Sequence, residues 1–309
     1  MAEVATSASS SANSSARSDQ LLVVVDPVAR QADGESVRIA KDVLSAGASS
    51  TKVCLPDGPE EFARALRRRG SRRPVVVGDD RALLRAVALL HRHRELAACG
   101  LSVVPVGPVL GLTRSLGLPS GAVAAARAVL DGAERRLDLL VDDSDGVVLG
   151  AVGIGPVGGD QDEGTFGGPD DDTAGPGGSR PGSAPARPWL RTCQSLVRTL
   201  ASSRPVRAAA PGAAGPSRLR VEVDGVTLVD LDQPVEGVSV VPGAGGEAEV
   251  EVRPPAWGAQ ASPLTARGRT VTVSGAHFRY RADAVVSGPV RTRTWVVREG
   301  AWGLTLPAG

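Results

Sequence analysis

Residues 74–90 read PVVVGDDRALLRAVALL, a β-branched run followed by an apolar pattern of helical period. Pro74 to Gly78 are predicted to form a buried strand, because consecutive valines end at a glycine. Leucines and Val87 recur at helical spacing between Arg81 and Ala98, which predicts one apolar helix face. A strand, a tight loop and a helix in this order are typical of parallel sheets.

The same alternation continues on both sides of this stretch. A helix is predicted to follow a cap at Asp57, with Pro59 in its first turn and Gly70 after its end. We therefore expect an α/β domain with a parallel sheet in the N-terminal half. The further strand candidates are Leu21 to Val25, Thr51 to Leu55, Leu101 to Val106 and Leu137 to Val141.

The C-terminal half has a different residue pattern. Residues 189–200 have the spacing of an amphipathic helix, and from Leu219 onward short alternating runs are separated by Gly, Pro and Asp. This pattern predicts an all-β, sandwich-like C-terminal domain. The fold class expected for the whole chain is thus an α/β domain followed by an antiparallel β domain.

Low-complexity segments divide the chain. Residues 1–20 are mostly Ser and Ala, and residues 156–188 are rich in Gly, Pro and carboxylates, so both are predicted to be disordered. The predicted domains are therefore 21–145 and 146–309, with the linker inside the second.

Composition excludes several classes of function. The net charge is +1, and the aromatic residues are only four Trp, one Tyr and three Phe, so nucleic-acid binding is not expected. Three widely spaced cysteines do not suggest a disulfide framework, which favours a reducing cytoplasm. The sequence also lacks an apolar run long enough to cross a bilayer.

Three polar loops follow three of the predicted strands. They read VVVDPVAR (23–30), VVVGDDRALL (75–84) and VVPVGPVLGLTRSLGLP (103–119). In this order they resemble the motifs of the diacylglycerol kinase catalytic-domain family of lipid kinases. RRLDLLVDDSDGVVLGAVGIG (135–155) and YRADAVVSGP (280–289) resemble further motifs of the family.

The resemblance implies a nucleotide-binding α/β domain, a β-sandwich domain and transfer of the γ-phosphate of ATP to a lipid hydroxyl with Mg²⁺. Asp283 matches the family's catalytic aspartate. Gly78, Asp80 and Gly107 match its nucleotide loops, and Arg81 is expected to contact phosphate. Asp80 and Asp138 are the implied metal ligands. Without a metal, Asp80 would cap a helix, Asp138 would end a strand and Asp283 would occupy a turn.

Several positions of the family motifs carry other residues in this chain. The resemblance implies that these positions contact the phosphates or the cation. We therefore expect weak or lost catalysis on a retained scaffold. The alternatives are an active ATP- and Mg²⁺-dependent lipid kinase and a non-catalytic interaction module. Arginines between Arg67 and Arg73 also leave open a peripheral contact with a membrane. The altered positions are Asp26, Arg30, Asp79, Arg81, Ala82, Pro108, Val109, Leu110, Ala284 and Val285.

Overall fold

Parallel and antiparallel strands belong to one connected sheet system in this protein. The computed structural model describes residues 20–155, 216–255 and 262–308. Residues 1–19, the linker 156–188 and the helix expected over 189–200 lie outside the described residues, so these predictions are not tested. The described residues form an N-terminal α/β region and a C-terminal antiparallel β region, which confirms the predicted fold class.

The N-terminal region is a parallel sheet with helices on both faces. Its strand order is β2-β1-β3-β4, and all three pairings are parallel. The strands are β1 Gln20–Val25, β2 Ser50–Cys54, β3 Arg73–Gly78 and β4 Gly100–Pro105. The helices are α1 Pro27–Ala32, α2 Gly34–Gly47, α3 Pro59–Arg67, α4 Asp80–Arg92, α5 Gly111–Ser115 and α6 Ala122–Asp131.

Both faces of this sheet are buried. On β1, Leu22 and Val24 pack against the side that carries α3 and α4, whereas Leu21 and Val23 pack against the side that carries α2 and α6. Continuous apolar runs are therefore needed in these strands, and the sequence contains them. Among the described helices, none combines the length and apolar composition needed to cross a membrane.

The fifth predicted strand is present but does not join the parallel sheet. β5 (Ala133–Asp142) pairs antiparallel with β15 (Val285–Leu306) and with β6 (Val147–Val148). The apolar run Leu137 to Val141 fits either kind of pairing, because burial on both faces produces the same pattern. The predicted domain boundary at residue 145 falls in the β5–β6 turn and stays a prediction.

The C-terminal region consists of antiparallel strands around its own apolar cluster, which includes Tyr280 and Trp295. In it, β14 pairs with β7, β8 and β15. The remaining strands are β7 Val152–Ile154, β8 Ser217–Val223, β9 Val226–Val229, β10 Pro234–Val235, β11 Gly237–Pro242, β12 Ala248–Arg253, β13 Leu264–Gly268 and β14 Thr270–Ala282.

The strand β15 links the two regions. Its first part pairs with β14, and its last part pairs antiparallel with β5 and parallel with β4 at Gly303 and Leu304. Trp302 and Leu304 are fully buried in the cluster that also contains the core-facing residues of α3 and α4. The α/β core is thus completed by residues from the far end of the chain.

The start of α3 differs from the prediction. Gly58 occupies the N-cap position and makes no side-chain cap, while the Asp57 carboxylate pairs with Arg30 at 2.9 Å. Asp57 instead donates its backbone N–H to the carboxylate of Glu61 at 3.0 Å. The predicted cap was wrong because a tertiary ion pair holds the Asp57 side chain one residue before the capping position.

Candidate functional site

The carboxylate of Asp79 caps the start of α4, directly after β3. One carboxylate oxygen, Oδ1, accepts hydrogen bonds from the backbone N–H groups of Arg81 at 3.1 Å and Ala82 at 3.2 Å, and Asp79 is only 3% exposed. Free N–H groups at the start of a helix favour a phosphate. Here an internal carboxylate already uses two of those groups.

Two glycines bring the neighbouring loops against this junction. A Cβ atom on Gly107 would lie 2.9 Å from the Cβ of Asp79, and Gly107 has a φ of +136°, which favours glycine. A Cβ atom on Gly78 would lie 3.1 Å from the Cβ of Asp26 in the first loop. The three loops predicted from the sequence therefore meet at one place.

Asp80 connects the second loop to the third. Its two carboxylate oxygens accept hydrogen bonds from the N–H groups of Leu112 at 2.8 Å and Thr113 at 2.9 Å, and its own N–H donates to the Val109 carbonyl. Asp80 is 3% exposed. Asp80 was expected to cap a helix, and its carboxylate does bind the N–H groups at the start of α5, whereas Asp79 caps α4.

Asp283 occupies the two-residue turn between β14 and β15, as expected, with a φ of +50°. Its carboxylate accepts hydrogen bonds from the N–H groups of Leu149 at 2.9 Å, Gly150 at 2.7 Å and Ala151 at 3.0 Å. A Cβ atom on Gly150 would lie 2.9 Å from both Asp283 Oδ1 and Leu112 Cδ1. The turn therefore lies beside the third loop.

The carboxylates of these loops and of the turn influence one another's pKa values. Burial raises the pKa of Asp283 above its ordinary value, the three backbone hydrogen bonds oppose that rise, and the charge of Asp80 adds to it. Burial also raises the pKa of Asp79, with a further contribution from Asp26. The first two loops and the turn thus concentrate acidic groups where the resemblance implies polyanion binding.

Asp26 and Arg85 form an ion pair that sequence reasoning missed. Asp26 is 2% exposed, caps α1 through the N–H of Val28, and binds Arg85 at 2.6 Å. Arg85 also stacks over the ring of Phe62. The signal for this pair was absent from the sequence because the two residues lie 59 positions apart.

The remaining predicted residues have other surroundings. Arg81 is exposed at the start of α4, and its charge acts on Asp79. Asp138 lies within β5 and not at its end, so that expectation is wrong. Its carboxylate accepts hydrogen bonds from the N–H groups of Gly246 at 2.8 Å and Gly300 at 2.6 Å, whereas Asp80 binds α5.

The residues present do not fit a bound Mg²⁺–ATP. Every carboxylate named for the site already accepts hydrogen bonds from backbone N–H groups, and a hard cation needs several carboxylate or carbonyl oxygens together. Within residues 20–155, 216–255 and 262–308, no group of three acidic, His or Cys side chains is placed to hold a metal. The implied roles of Asp80 and Asp138 as metal ligands stay predictions.

Solved structures share the fold of this chain. A diacylglycerol kinase structure from Bacillus anthracis str. Sterne superposes with a TM-score of 0.62 at 12% identity, covering 93% of this chain and 97% of that chain. A second structure from that strain, assigned as a diacylglycerol kinase, has a TM-score of 0.64 at 12% identity and covers 93% of this chain and 96% of that chain. The chain has the diacylglycerol kinase fold.

No protein-family model matches the sequence, and no curated protein matches it significantly. The likeness to diacylglycerol kinase structures therefore concerns the fold, at 12% identity. Asp79 and Asp80 lie in the second loop and Asp283 lies in the turn that the resemblance singled out, and each binds backbone N–H groups of this chain.

Proposed function

We propose that this chain is a member of the diacylglycerol kinase family in which phosphoryl transfer is weak or lost, and which acts through binding. The retained fold and the order of the loop motifs support the family assignment. The single observation that carries the proposed loss is the buried Asp79 carboxylate, which occupies the start of α4.

The charge of Asp79 would repel a bound phosphate. Two negative charges about 4 Å apart repel by roughly 4 kcal/mol at an effective dielectric constant near 20. Since each 1.4 kcal/mol is about tenfold in affinity, the Asp79 charge would weaken phosphate binding on the order of 10³-fold. The altered third loop adds to this effect, because Pro108 lacks the N–H that another residue would offer.

Calorimetric titration with ATP and Mg²⁺ tests the proposal. We expect no micromolar binding by the wild-type chain, and at least tenfold stronger binding by Asp79→Gly, because that change removes the charge and frees two N–H groups. Asp33→Gly is the matched control, since Asp33 caps α2 through the N–H of Ser36 in the same way. Micromolar ATP binding by the wild type would contradict the proposal.

A second candidate is an active lipid kinase that uses Arg81, Asp80 and Asp283. It is favoured by the raised pKa of Asp283, since a carboxyl with a raised pKa is a stronger base when ionised. Transfer of radiolabelled phosphate from ATP to diacylglycerol tests it. Activity that Asp283→Ala abolishes and Asp131→Ala preserves supports this candidate, and activity that survives Asp283→Ala contradicts the role of Asp283.

Two further parts of the proposal concern location. We propose a cytoplasmic protein, in keeping with the free thiols of Cys54 and Cys99. A peripheral membrane contact through the arginines near the end of α3 has a weaker basis than the sequence suggested. Arg69 pairs with Glu95, and Arg73 donates to the Val129 carbonyl at 2.6 Å, so both serve the fold.

A further inference from the structure

A cavity lies at the end of α4 that is farther from Asp79. It has a volume of about 570 Å³ and lies between the C-terminal end of α4 and the sheet formed by β5 and β15. The helix has 13 residues, so the two ends are about 18 Å apart at 1.5 Å per residue. A volume of this size is in the range of small-molecule sites. None of its lining residues belongs to the three polar loops 23–30, 75–84 and 103–119.

Three arginines line this cavity. Arg92 ends α4, Arg94 follows it with a φ of +57°, and Arg298 lies on β15. Arg298 pairs with Leu139 of β5, and directly paired residues project from the same sheet face. Its side chain therefore lies on the face that α4 covers.

Among the described residues, none of these guanidinium groups is held in an ion pair. Within the described part of the chain, Arg92, Arg94 and Arg298 make no side-chain hydrogen bond and no ion pair within 4 Å. The only carboxylate lining the cavity, Asp145, is bound to His91 Nε2 at 2.8 Å. The hydrogen bond and charge of His91 lower the pKa of Asp145 most, and the charges of Arg94 and Arg92 lower it further. The two arginines therefore interact electrostatically with Asp145.

The floor of the cavity is apolar. Leu139, Val141 and Leu96 lie beneath the cavity and are almost wholly buried, so the apolar surface that a ligand can reach belongs to the exposed Ala97 and the half-buried Ala301. A hydrated inorganic ion would gain nothing from such a floor. A ligand with both an anionic group and an apolar group would contact both parts.

We propose that this cavity is a binding site for a small amphipathic anion, a phosphate monoester that carries an aliphatic group. The guanidinium groups of Arg94 and Arg298 hold the phosphate, because a planar guanidinium forms paired hydrogen bonds with phosphate oxygens. The aliphatic part lies on Ala97 and Ala301. Binding here does not depend on the nucleotide loops, since the cavity is at the other end of α4.

Calorimetric titration of the full chain with octyl phosphate, inorganic phosphate and octyl glucoside tests the site. We expect saturable binding of one octyl phosphate per chain, with binding at least tenfold weaker for the other two probes. Arg298→Gln and Arg94→Gly should each weaken octyl phosphate binding about tenfold or more. Glycine suits the positive φ of Arg94, so this variant is expected to fold.

Arg127→Gln is the matched control, because Arg127 is an exposed arginine on α6 outside the cavity. It should leave octyl phosphate binding unchanged, and thermal melts of all variants report their folding. The proposal is overturned if octyl phosphate does not bind or if inorganic phosphate binds equally well. Octyl glucoside binding equally well, or an equal loss in the Arg127→Gln control, would also overturn it.

Discussion

At the residue scale, the buried carboxylates of Asp79 and Asp80 and the half-buried carboxylate of Asp283 bind backbone N–H groups. Asp79 accepts two such bonds, Asp80 accepts two and Asp283 accepts three. Hydrogen bonds to a charged acceptor are about twice as strong as neutral ones, which offsets part of the free energy lost on burial. These side chains therefore stabilise the loops in which a family resemblance implies ligand contacts.

Replacing Asp283 with Asn tests this stabilising role. Because both oxygens of Asp283 accept N–H groups, Asp283→Asn places an amide donor opposite at least one backbone donor. We expect the free energy of unfolding to fall by about 1–3 kcal/mol, measured by urea denaturation. Asp131→Asn, at the exposed end of α6, should change the free energy by less than about 0.5 kcal/mol. Equal effects would contradict the role of Asp283.

The raised pKa of Asp283 gives this comparison a pH dependence. A carboxyl whose native pKa lies above its ordinary value of 3.8 stabilises the fold fully below pH 3.8 and loses that contribution as the pH rises through the native pKa. The wild-type advantage over Asp283→Asn should therefore be larger near pH 3.8 than at neutral pH. Urea denaturation at both pH values measures it, and an advantage that grows toward neutral pH would contradict the raised pKa.

At the element scale, Asp80 joins two helices. Its carboxylate binds the first N–H groups of α5, a helix of only five residues, while its backbone begins α4. A helix this short is not stable by itself. Its order must therefore come from tertiary contacts, of which the Asp80 hydrogen bonds are the strongest identified.

The expected effect of Asp80→Ala is local. Hydrogen exchange of the backbone amides in residues 111–116 should accelerate at least tenfold, because two charge-assisted hydrogen bonds are lost, whereas exchange in α2 should be unchanged. Mass spectrometry of peptic peptides measures both segments, with Asp131→Ala as the control. Unchanged exchange in α5 would show that other contacts hold this helix.

Elements were predictable where a local pattern decides them. The strands β1 to β4 were found from apolar periodicity and differ from their predictions by one residue at one or both ends, whereas α4 ends at Arg92, six residues before the predicted Ala98. The pairing of β5 was not predictable, because its partner β15 is more than 140 residues away in the sequence. The sequence also did not identify Asp79 as the residue that caps α4. Asp79 and Asp80 are adjacent acids, and only the position of α5 decides which of them faces the helix start.

At the scale of the whole molecule, β15 ties the two regions together. The interaction-module alternative requires residues 189–309 to fold by themselves. In the full chain, however, Trp302 and Leu304 are buried in the α/β core. The isolated fragment would expose them together with an unpaired strand end. We expect this fragment to be insoluble or to lack cooperative unfolding.

Truncation tests whether the α/β region depends on the last residues of β15. A chain ending at Glu299 loses the strand residues that pair with β4 and with the first half of β5. We expect no cooperative thermal transition in it, because several large apolar side chains leave the core. A chain ending at Leu306 keeps every residue of β15 and is the matched control. A cooperative transition in the shorter chain would contradict the dependence.

The position of β15 also constrains how the protein is made. Ribosomes extend a chain at about 5–20 residues per second, and N-terminal domains generally fold first during synthesis. Here the α/β region lacks Trp302 and Leu304 until the segment ending at Leu306 has left the exit tunnel. Its apolar surface therefore stays open throughout elongation of the second half, and nascent chains are predicted to bind chaperones during that interval.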